Sequence, residues 1–568
     1  KIFLPKNLTN VIIKVLYIEN QDITILEKRT EVYMKEKIFP IIISVLFALL
    51  LWYFMLPPLN PTSPTFWVYL FTVAIFVLIV FFLTGLNQAI TIRRINSSNI
   101  PKYFTASISV GVLIIVVIIV INICVSPIFN ASKYATRIYV DETSSFTDDV
   151  APVDFSKIPL LDKESSQKLG DRVMGQATEW VSQFYVSDLY TQINYNDQII
   201  RVTPIEYDGI IKYFTNRSEG IKGYITVDST NGEAQLVTLE EGMHYMPSAY
   251  FFENLYRKLR ISYPTTIFAE ASFEIDNEGH PYWIVPTIKY KGIGMREEIS
   301  GVVILDAVTG KSEKYSIGEI PSWVDHAYPS SLIIDQLDNW GEYKEGFLNS
   351  IFGQKNVTVT TEGYNYLVMN DDVYLYTGIT SVSNDESILG FVMVNLRTKE
   401  THYYSAPGAK EYSAMASAEG LVQDKEYEAS FPLLVNLNNK PTYLMSLKDN
   451  AGLVKMYAFV DVEDYQKVVV SDAALGIEAA ADAYLNEVGS EYDASNLVEA
   501  SITISDITSA VIDGFTYYYI TDSENKRYMT SIKNGQNILP FLSTGDVVDI
   551  TYSEGNINQI ATISLNEE

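Results

Sequence analysis

Three long apolar runs near the start of this chain constrain its fold more than any other feature. They are Phe39–Leu56, Phe66–Leu86 and Phe104–Val125, and none contains a charged residue. Each is about 18 to 22 residues long, enough for a helix to cross the hydrocarbon core of a bilayer. We therefore predict three transmembrane helices within residues 39–126, preceded by a cytoplasmic segment, 1–38.

The charges that flank these runs predict their orientation. Lys35 and Lys37 precede the first run, Arg93 and Arg94 lie between the second and third, and the loop 57–64 carries no charge. Because positive residues stay on the cytoplasmic side, we expect the N-terminus in the cytoplasm and the large C-terminal part outside the plasma membrane. Intramembrane ionisable residues usually mark a transport path. Because these runs contain none, we interpret the helices as an anchor.

The part beyond Val125 is strongly acidic and contains no cysteine. The whole chain has a net charge of −28, and the part beyond Val125 carries about −33 of charge. Such a surface argues against nucleic acid as a partner, since phosphate binding needs clustered Lys and Arg. The one cysteine, Cys124, lies in the third apolar run. A large exported domain without disulfides is typical of a Gram-positive bacterium.

After a predicted linker, 127–165, related strand pairs recur through the region 166–495. In the best preserved copy, Val302–Leu305 forms an apolar strand and Asp306-Ala-Val-Thr-Gly310 closes a turn before the chain returns. Helical stretches separate the copies, so each unit is predicted to be an antiparallel sheet covered by a helix. The copies lie near 197–240, 273–318, 364–405 and 431–470.

The motif Asp306-Ala-Val-Thr-Gly310 resembles the signature of the PepSY family of small extracytoplasmic modules. The first copy keeps only the ends of the motif, at Asp228 and Gly232, and the third departs at both ends. The resemblance implies a membrane-tethered module that binds or restrains a partner protein, often a peptidase, without catalysis. The whole chain also resembles three-helix membrane-anchored surface proteins of Firmicutes.

The last segment, 496–568, has short strands separated by glycine turns. We predict strands at 499–505, 509–513, 516–521, 527–531 and 547–552, with a sixth at 557–563. Strands of this length and spacing indicate a small closed β-barrel, OB-like or SH3-like. Its few basic residues are Lys526, Arg527 and Lys533, which argues against nucleic acid.

The search for chemistry predicts no catalytic residues, no cofactor and no metal site. The four histidines have no His or Cys at ligand spacing, so a zinc site is not expected. An acidic loop could bind calcium, and this alternative stays open. As candidate partner-binding residues we select acids and an aromatic beside the strands of the third and fourth copies: Asp385, Glu386, Tyr412 and Glu419.

The fold class expected is therefore membrane-anchored α+β: three transmembrane helices, tandem PepSY-like sheet-plus-helix repeats and a C-terminal barrel. The function expected is that of a self-assembling interaction or scaffold protein at the cell surface. Its expected partners are the lipid bilayer, further copies of itself, and a peptidase, cell-wall glycan or other surface protein. The alternatives are an exported cell-wall hydrolase and an accessory subunit of a transporter or channel.

Overall fold

The computed structural model describes residues 38–92, 100–369, 371–382, 387–488, 498–512, 515–553 and 557–565. The chain divides into two compact units, and the boundary lies between Lys410 and Glu411. The first unit holds the apolar helices and three antiparallel sheets; the second holds a further sheet and a barrel. The predicted mixed α+β class is confirmed.

Three apolar helices begin the described chain: α1 (Phe39–Met55), α2 (Pro64–Ile92) and α3 (Ile100–Val125). Two segments, Pro64–Leu83 and Ile108–Val125, are long and apolar enough to cross a membrane. The α1 helix has 17 residues, which span about 26 Å, so it is shorter than the usual spanning length. Of the three predicted spans, two therefore have the length of a membrane-spanning helix.

The segment predicted as a linker is packed against the third sheet. It contains α4 (Pro127–Ala135) and α5 (Phe146–Asp149). Ile138 is 2% exposed, and the Phe146 ring lies 5.2 Å from that of Phe391 in an edge-on contact. The buried Arg137 joins this segment to Asp335 through an ion pair of 2.5 Å. These contacts fix the chain immediately after the apolar helices.

Within the described residues, four five-stranded sheets share one topology. In each, two short strands pair with the same long strand, which continues by hairpins into two further strands. The four segments in which the sequence shows related strand pairs are the segments that form these sheets. The strands are β1 (Phe184–Val186), β2 (Thr191–Tyr195), β3 (Gln198–Tyr207), β4 (Ile221–Asp228), β5 (Ala234–Met243); β6 (Ile267–Phe268), β7 (Ser272–Ile275), β8 (Pro281–Tyr290), β9 (Glu297–Asp306), β10 (Ser312–Ser316); β11 (Thr358–Thr360), β12 (Asn365–Met369), β13 (Asp372–Ser381), β14 (Ser387–Asn395), β15 (Thr401–Ala409); β16 (Glu428–Ala429), β17 (Leu433–Leu437), β18 (Lys440–Lys448), β19 (Val454–Asp461) and β20 (Val468–Asp472).

A helix precedes each sheet, and a short additional helix is inserted in the first. Two of these helices start at a capping side chain: the carboxylate of Asp162 accepts a hydrogen bond from the backbone N–H of Ser165, and the amide oxygen of Asn254 accepts one from the N–H of Arg257. The helices are α6 (Lys163–Gln176), α7 (Ile210–Asn216), α8 (Leu255–Ser262), α9 (Ser330–Tyr343) and α10 (Glu411–Leu421); α11 (Ile477–Val488) follows the fourth sheet.

The second sheet is buried on both faces. Trp283 and Val303 belong to the core shared with the first sheet, whereas Ile284 and Val302 belong to the core shared with the third. Successive side chains of a strand point to opposite faces, so neighbouring residues of β8 and β9 enter different cores. This double burial explains why Val302–Leu305 is apolar without alternation.

The sheets contact the ends of the apolar helices at the loop between α1 and α2. Arg260, at the end of α8, is 6% exposed and donates hydrogen bonds from Nε to the Leu56 carbonyl at 2.9 Å and from Nη1 to the Thr266 carbonyl at 2.6 Å. The Leu59 N–H donates to the Pro264 carbonyl at 2.7 Å. Burial lowers the pKa of Arg260 to about 10. Its cation faces the C-terminal carbonyls of α1, where a helix dipole favours positive charge.

The hairpin loop between β8 and β9 makes a second contact with these helices. The Asn122 side chain, near the end of α3, donates to the Ile293 carbonyl and accepts from the Ile293 N–H, both at 2.9 Å. In the same loop the Gly294 N–H donates to the Thr62 carbonyl at 2.9 Å. The outgoing ends of α1 and α3 and the start of α2 therefore all lie against the sheets.

The second unit ends in a small closed barrel, as predicted. Its strands are β21 (Val498–Ile512), β22 (Phe515–Asp522), β23 (Arg527–Ser531), β24 (Val547–Ser553) and β25 (Asn558–Leu565), in the order β21-β22-β23-β25-β24. Leu539, in a 3-10 turn before β24, is fully buried in the barrel core. The prediction of two strands at 499–505 and 509–513 was wrong, because β21 runs through both. A bulge between Ile504 and Asp506 lets its first half pair with β24 and its second half with β22.

Candidate functional site

A polar cleft lies where equivalent turns of the first three sheets meet. Its cavity volume is about 190 Å³. It is open to solvent on one side, and its walls are mainly amide and carboxylate side chains with one indole. We call it the three-turn cleft; it is lined by Asn194, Asn196, Asp197, Asn277, Ser322, Trp323 and Asp371.

Each turn is built by residues that tolerate a left-handed backbone. Asn196 and Asp197 join β2 to β3 with φ of 51° and 64°, and Asp371 precedes β13 with φ of 70°. Asn and Asp are favoured in such two-residue hairpin turns. In the second sheet, the carboxylate of Asp276 accepts hydrogen bonds from the N–H groups of Glu278 and His280, which closes a longer turn around Asn277.

Direct hydrogen bonds hold the three turns together. The Asn196 side chain donates to the Asn277 carbonyl at 3.3 Å. The Asn194 side chain donates to the Asp371 carboxylate. Trp323 forms the apolar wall and packs against Tyr282 with ring centroids 5.0 Å apart. The first three sheets thus present one composite surface at this end.

Two buried carboxylic acids lie beneath the cleft. Glu274 on β7 accepts hydrogen bonds from the N–H groups of Asp325 and His326 at 2.9 and 3.2 Å and from the Ser272 hydroxyl at 2.9 Å. The Asp325 carboxyl accepts from the Asn194 N–H at 2.8 Å. Both acids are at most 2% exposed.

Burial raises the pKa of both acids. For Asp325 burial is the main cause and the charge of Glu274 raises the pKa further; for Glu274 the raising by burial is opposed by His326 and by its hydrogen-bond donors. Three hydrogen-bond donors stabilise the Glu274 carboxylate as an anion, whereas the Asp325 carboxyl accepts a hydrogen bond from one donor. We infer that Asp325 holds the proton in this pair.

A histidine and an arginine extend the buried network into the first sheet. The Nε2–H of His326 donates to the Gln192 carbonyl at 2.7 Å, and Nη2 of Arg201 donates to the Gln192 side-chain oxygen at 2.7 Å. Burial lowers the pKa of Arg201 to about 10. The network therefore joins the first and second sheets below the cleft, through the loop that carries Asp325 and His326.

The composition of the cleft suits a cationic group. Asp197 and Asp371 supply negative charge, and the face of an indole such as Trp323 attracts cations. The volume is below the roughly 300 Å³ of typical small-molecule pockets, so one side chain of a partner fits better than a cofactor. In the described part of the chain no three His, Cys, Asp or Glu side chains form a group that could hold a metal ion.

The residues selected from the sequence lie elsewhere. Asp385 and Glu386 fall outside the described residues. Tyr412 and Glu419 lie about two turns apart on α10, in the second unit. Tyr412 is 51% exposed, with its ring 6.0 Å from Phe431, while Glu419 accepts a hydrogen bond from the Ala429 N–H at 2.8 Å. Glu419 therefore connects α10 to β16, whereas about half of the Tyr412 side chain remains exposed to solvent.

Sequence reasoning missed the cleft because its residues are far apart in the chain. The signal was the same type of turn at the same place in successive copies: Asn196-Asp197, Asn277 and Asp371 each precede the first long strand of a sheet.

Comparison with known proteins does not identify a function for the cleft: a scan against models of protein families found no match to this chain, and a search of curated proteins found none.

Proposed function

We propose that this protein is a membrane-anchored interaction protein of the cell surface, with α1 to α3 as its anchor. The sheets and the barrel lie outside the plasma membrane and bind or restrain a partner protein. The observation that carries the proposal is the position of the sheets, which contact the helix ends at Leu56, Thr62 and Asn122.

The apolar helices support the anchor because their side chains are exposed all round. Leu49 in α1 is 61% exposed, Phe82 in α2 47% and Leu113 in α3 62%. A helix that is apolar on every side is covered either by a protein core or by lipid. Within the part of the chain that the structure describes, no other element covers these side chains, so a bilayer is the surrounding that they require.

The contacts also support three crossings. The loop between α1 and α2 and the end of α3 both touch the sheets, so they lie on one side of the anchor. The other junction, between α2 and α3, then lies on the opposite side, and it carries Arg93 and Arg94. Positive residues mark the cytoplasmic side, which gives a cytoplasmic N-terminus and external sheets.

The partner is a protein that inserts a basic side chain into the three-turn cleft. The carboxylates of Asp197 and Asp371 and the indole of Trp323 provide the charge and the flat surface for it. The cleft opens at the end of β8 opposite to the loop that contacts the helices. Ten residues of β8 separate these ends by about 33 Å, which keeps the cleft clear of the membrane.

The barrel is a second partner-binding element in this proposal. Its third and fifth strands run parallel, and the order β21-β22-β23-β25-β24 favours the OB-like alternative. Self-association through the exposed faces of the apolar helices also stays a prediction. A mass measurement in mild detergent tests it, and a strict monomer would count against it.

Photo-crosslinking in living cells tests the cleft. A photoreactive phenylalanine analogue at position 277 should give adducts with a partner, whereas the same analogue at the exposed Glu319, outside the cleft, should give none. The double variant Asp197→Asn/Asp371→Asn should reduce the adducts at position 277 about tenfold, since each carboxylate contributes about 0.7 kcal/mol. Equal adducts with and without the two carboxylates would contradict the proposal.

A further inference from the structure

Two exposed apolar patches flank the ends of the apolar helices. The Ile211 patch comprises Ile211 and Phe214 of α7 and Phe252 in the following 3-10 turn; they are 74%, 52% and 67% exposed. The Phe352 patch comprises Leu348, Ile351 and Phe352, which follow α9 and are 70%, 51% and 81% exposed. Soluble surfaces rarely expose such side chains in groups, so both patches need a covering partner.

A chain of contacts places the Ile211 patch beside the end of α1. The guanidinium of Arg257 lies over the ring of Tyr53, two residues before the end of α1, with 4.2 Å between the guanidinium carbon and the ring centroid. Arg257 also donates to the Phe251 carbonyl at 2.6 Å. The Phe251 ring in turn lies 5.9 Å from that of Phe214. The Ile211 patch therefore lies beside the C-terminal end of α1, where the apolar helix stops.

Helix packing places the Phe352 patch beside the end of α3. Tyr343, at the end of α9, contacts Tyr134 with ring centroids 6.1 Å apart. Asp335, earlier in α9, pairs with Arg137, which follows the end of α4. The helices α4 and α9 thus run antiparallel. The chain beyond Tyr343 continues toward the beginning of α4, which directly follows α3.

The beginning of α4 is itself apolar and exposed. Ile128 is 51% and Phe129 69% exposed, and both follow the last residue of α3 by only a few positions. They extend the Phe352 patch up to the helix that enters the membrane. Both patches are therefore continuous with the apolar helices, and both are rich in phenylalanine, which inserts readily at the boundary between headgroups and acyl chains.

We propose that the two patches dip into the outer leaflet of the bilayer, so that the first unit lies on the membrane surface as well as being anchored in it. This inference rests on the proposed function, because it requires α1 to α3 to span the membrane. The covering partner is lipid rather than a second copy, because each patch is continuous with the end of an apolar helix that the bilayer itself surrounds. The three-turn cleft is then held at a fixed height and orientation above the membrane.

Lipid-depth quenching tests this proposal on the full chain in vesicles of phosphatidylcholine and phosphatidylglycerol. In a Cys124→Ala background, a bimane dye is attached to Ile211→Cys, Phe352→Cys or Asn277→Cys in turn. Lipids that carry a doxyl quencher near the headgroup should roughly halve the emission at positions 211 and 352. They should leave position 277, at the other end of β8, unchanged.

The controls separate this inference from the anchor itself. An alkaline carbonate wash reports whether the protein is integral: if it is washed out, the proposed function fails. If the protein is retained but the dye at 211 and 352 emits as in water, the inference alone is overturned. Blue-shifted emission without doxyl quenching would show that a second copy covers the patches, and would also overturn it.

Discussion

At the scale of single residues, the buried acid pair beneath the three-turn cleft is the most unusual feature. Glu274 and Asp325 are both buried, and among the described residues neither forms an ion pair with an arginine or a lysine. The pair is tolerated because backbone N–H groups solvate one acid and a proton neutralises the other. The packing of the first sheet on the second at this point therefore involves a protonated carboxyl.

Two matched variants test this assignment of the proton. Glu274→Gln should destabilise the protein by about 2 kcal/mol at neutral pH, because a side-chain N–H would face the backbone N–H of Asp325 or His326. Asp325→Asn imitates the protonated acid and should cost much less. Thermal unfolding of the full chain in detergent measures both, and a larger loss for Asp325→Asn would refute the assignment.

The pH dependence follows from the direction of the shift. A carboxyl whose pKa is raised by folding binds its proton more tightly in the folded state, so its contribution to stability is complete at low pH. The contribution is lost as the pH rises from about 4 through the raised pKa of Asp325. Asp325→Asn should remove this loss, and an unchanged pH profile in the variant would contradict the shift.

The pair could not have been predicted from the sequence. Glu274 follows an ordinary strand pattern, and Asp325 lies in a loop about fifty residues later. Their proximity depends on the packing of the first three sheets, which no local pattern encodes. By contrast, the turn at Asp306 was predictable, because its carboxylate accepts the N–H groups of Val308 and Thr309 in the same short stretch.

At the scale of elements, the hairpin loop between β8 and β9 couples the sheets to the apolar helices. Gly294 has φ of 69°, and a Cβ atom there would collide with the ring of Pro64. Its N–H donates to the Thr62 carbonyl. This glycine is therefore required both by its backbone conformation and by the close approach of α2.

Gly294→Ala should weaken this coupling, and Gly318→Ala is a matched control. Gly318 also has a positive φ, of 90°, but a Cβ there would have open space around it. Both variants carry the backbone strain of about 1 kcal/mol, and only Gly294→Ala adds the collision. Protease sensitivity of the loop 57–63 should increase in Gly294→Ala alone; equal sensitivity in both would exclude a coupling role.

Elements were predicted from the sequence where a local pattern was sufficient. The apolar runs gave helices, and the strand pairs gave the hairpins of the four sheets. The division of β21 into two strands was wrong because Ser505–Asp506 looks like a polar break, whereas in the barrel it forms a bulge in one continuous strand. A closed barrel needs strands that bend in this way, and the local propensity of the residues does not predict the bend.

At the scale of the whole chain, the long strand β8 separates two surfaces of the first unit. The apolar helices and the two apolar patches lie at one end of β8, and the three-turn cleft lies at the other. In the proposed function, this separation holds the cleft away from the membrane, and the acidic surface beyond Val125 would attract a basic partner.

Site-directed labelling of intact cells tests the central claim, that the sheets lie outside the membrane. In a Cys124→Ala background, Asn277→Cys lies in the cleft and Ser97→Cys lies between α2 and α3. A membrane-impermeant maleimide should label position 277 in intact cells and position 97 only after lysis. Labelling of position 97 but not 277 in intact cells would contradict the account.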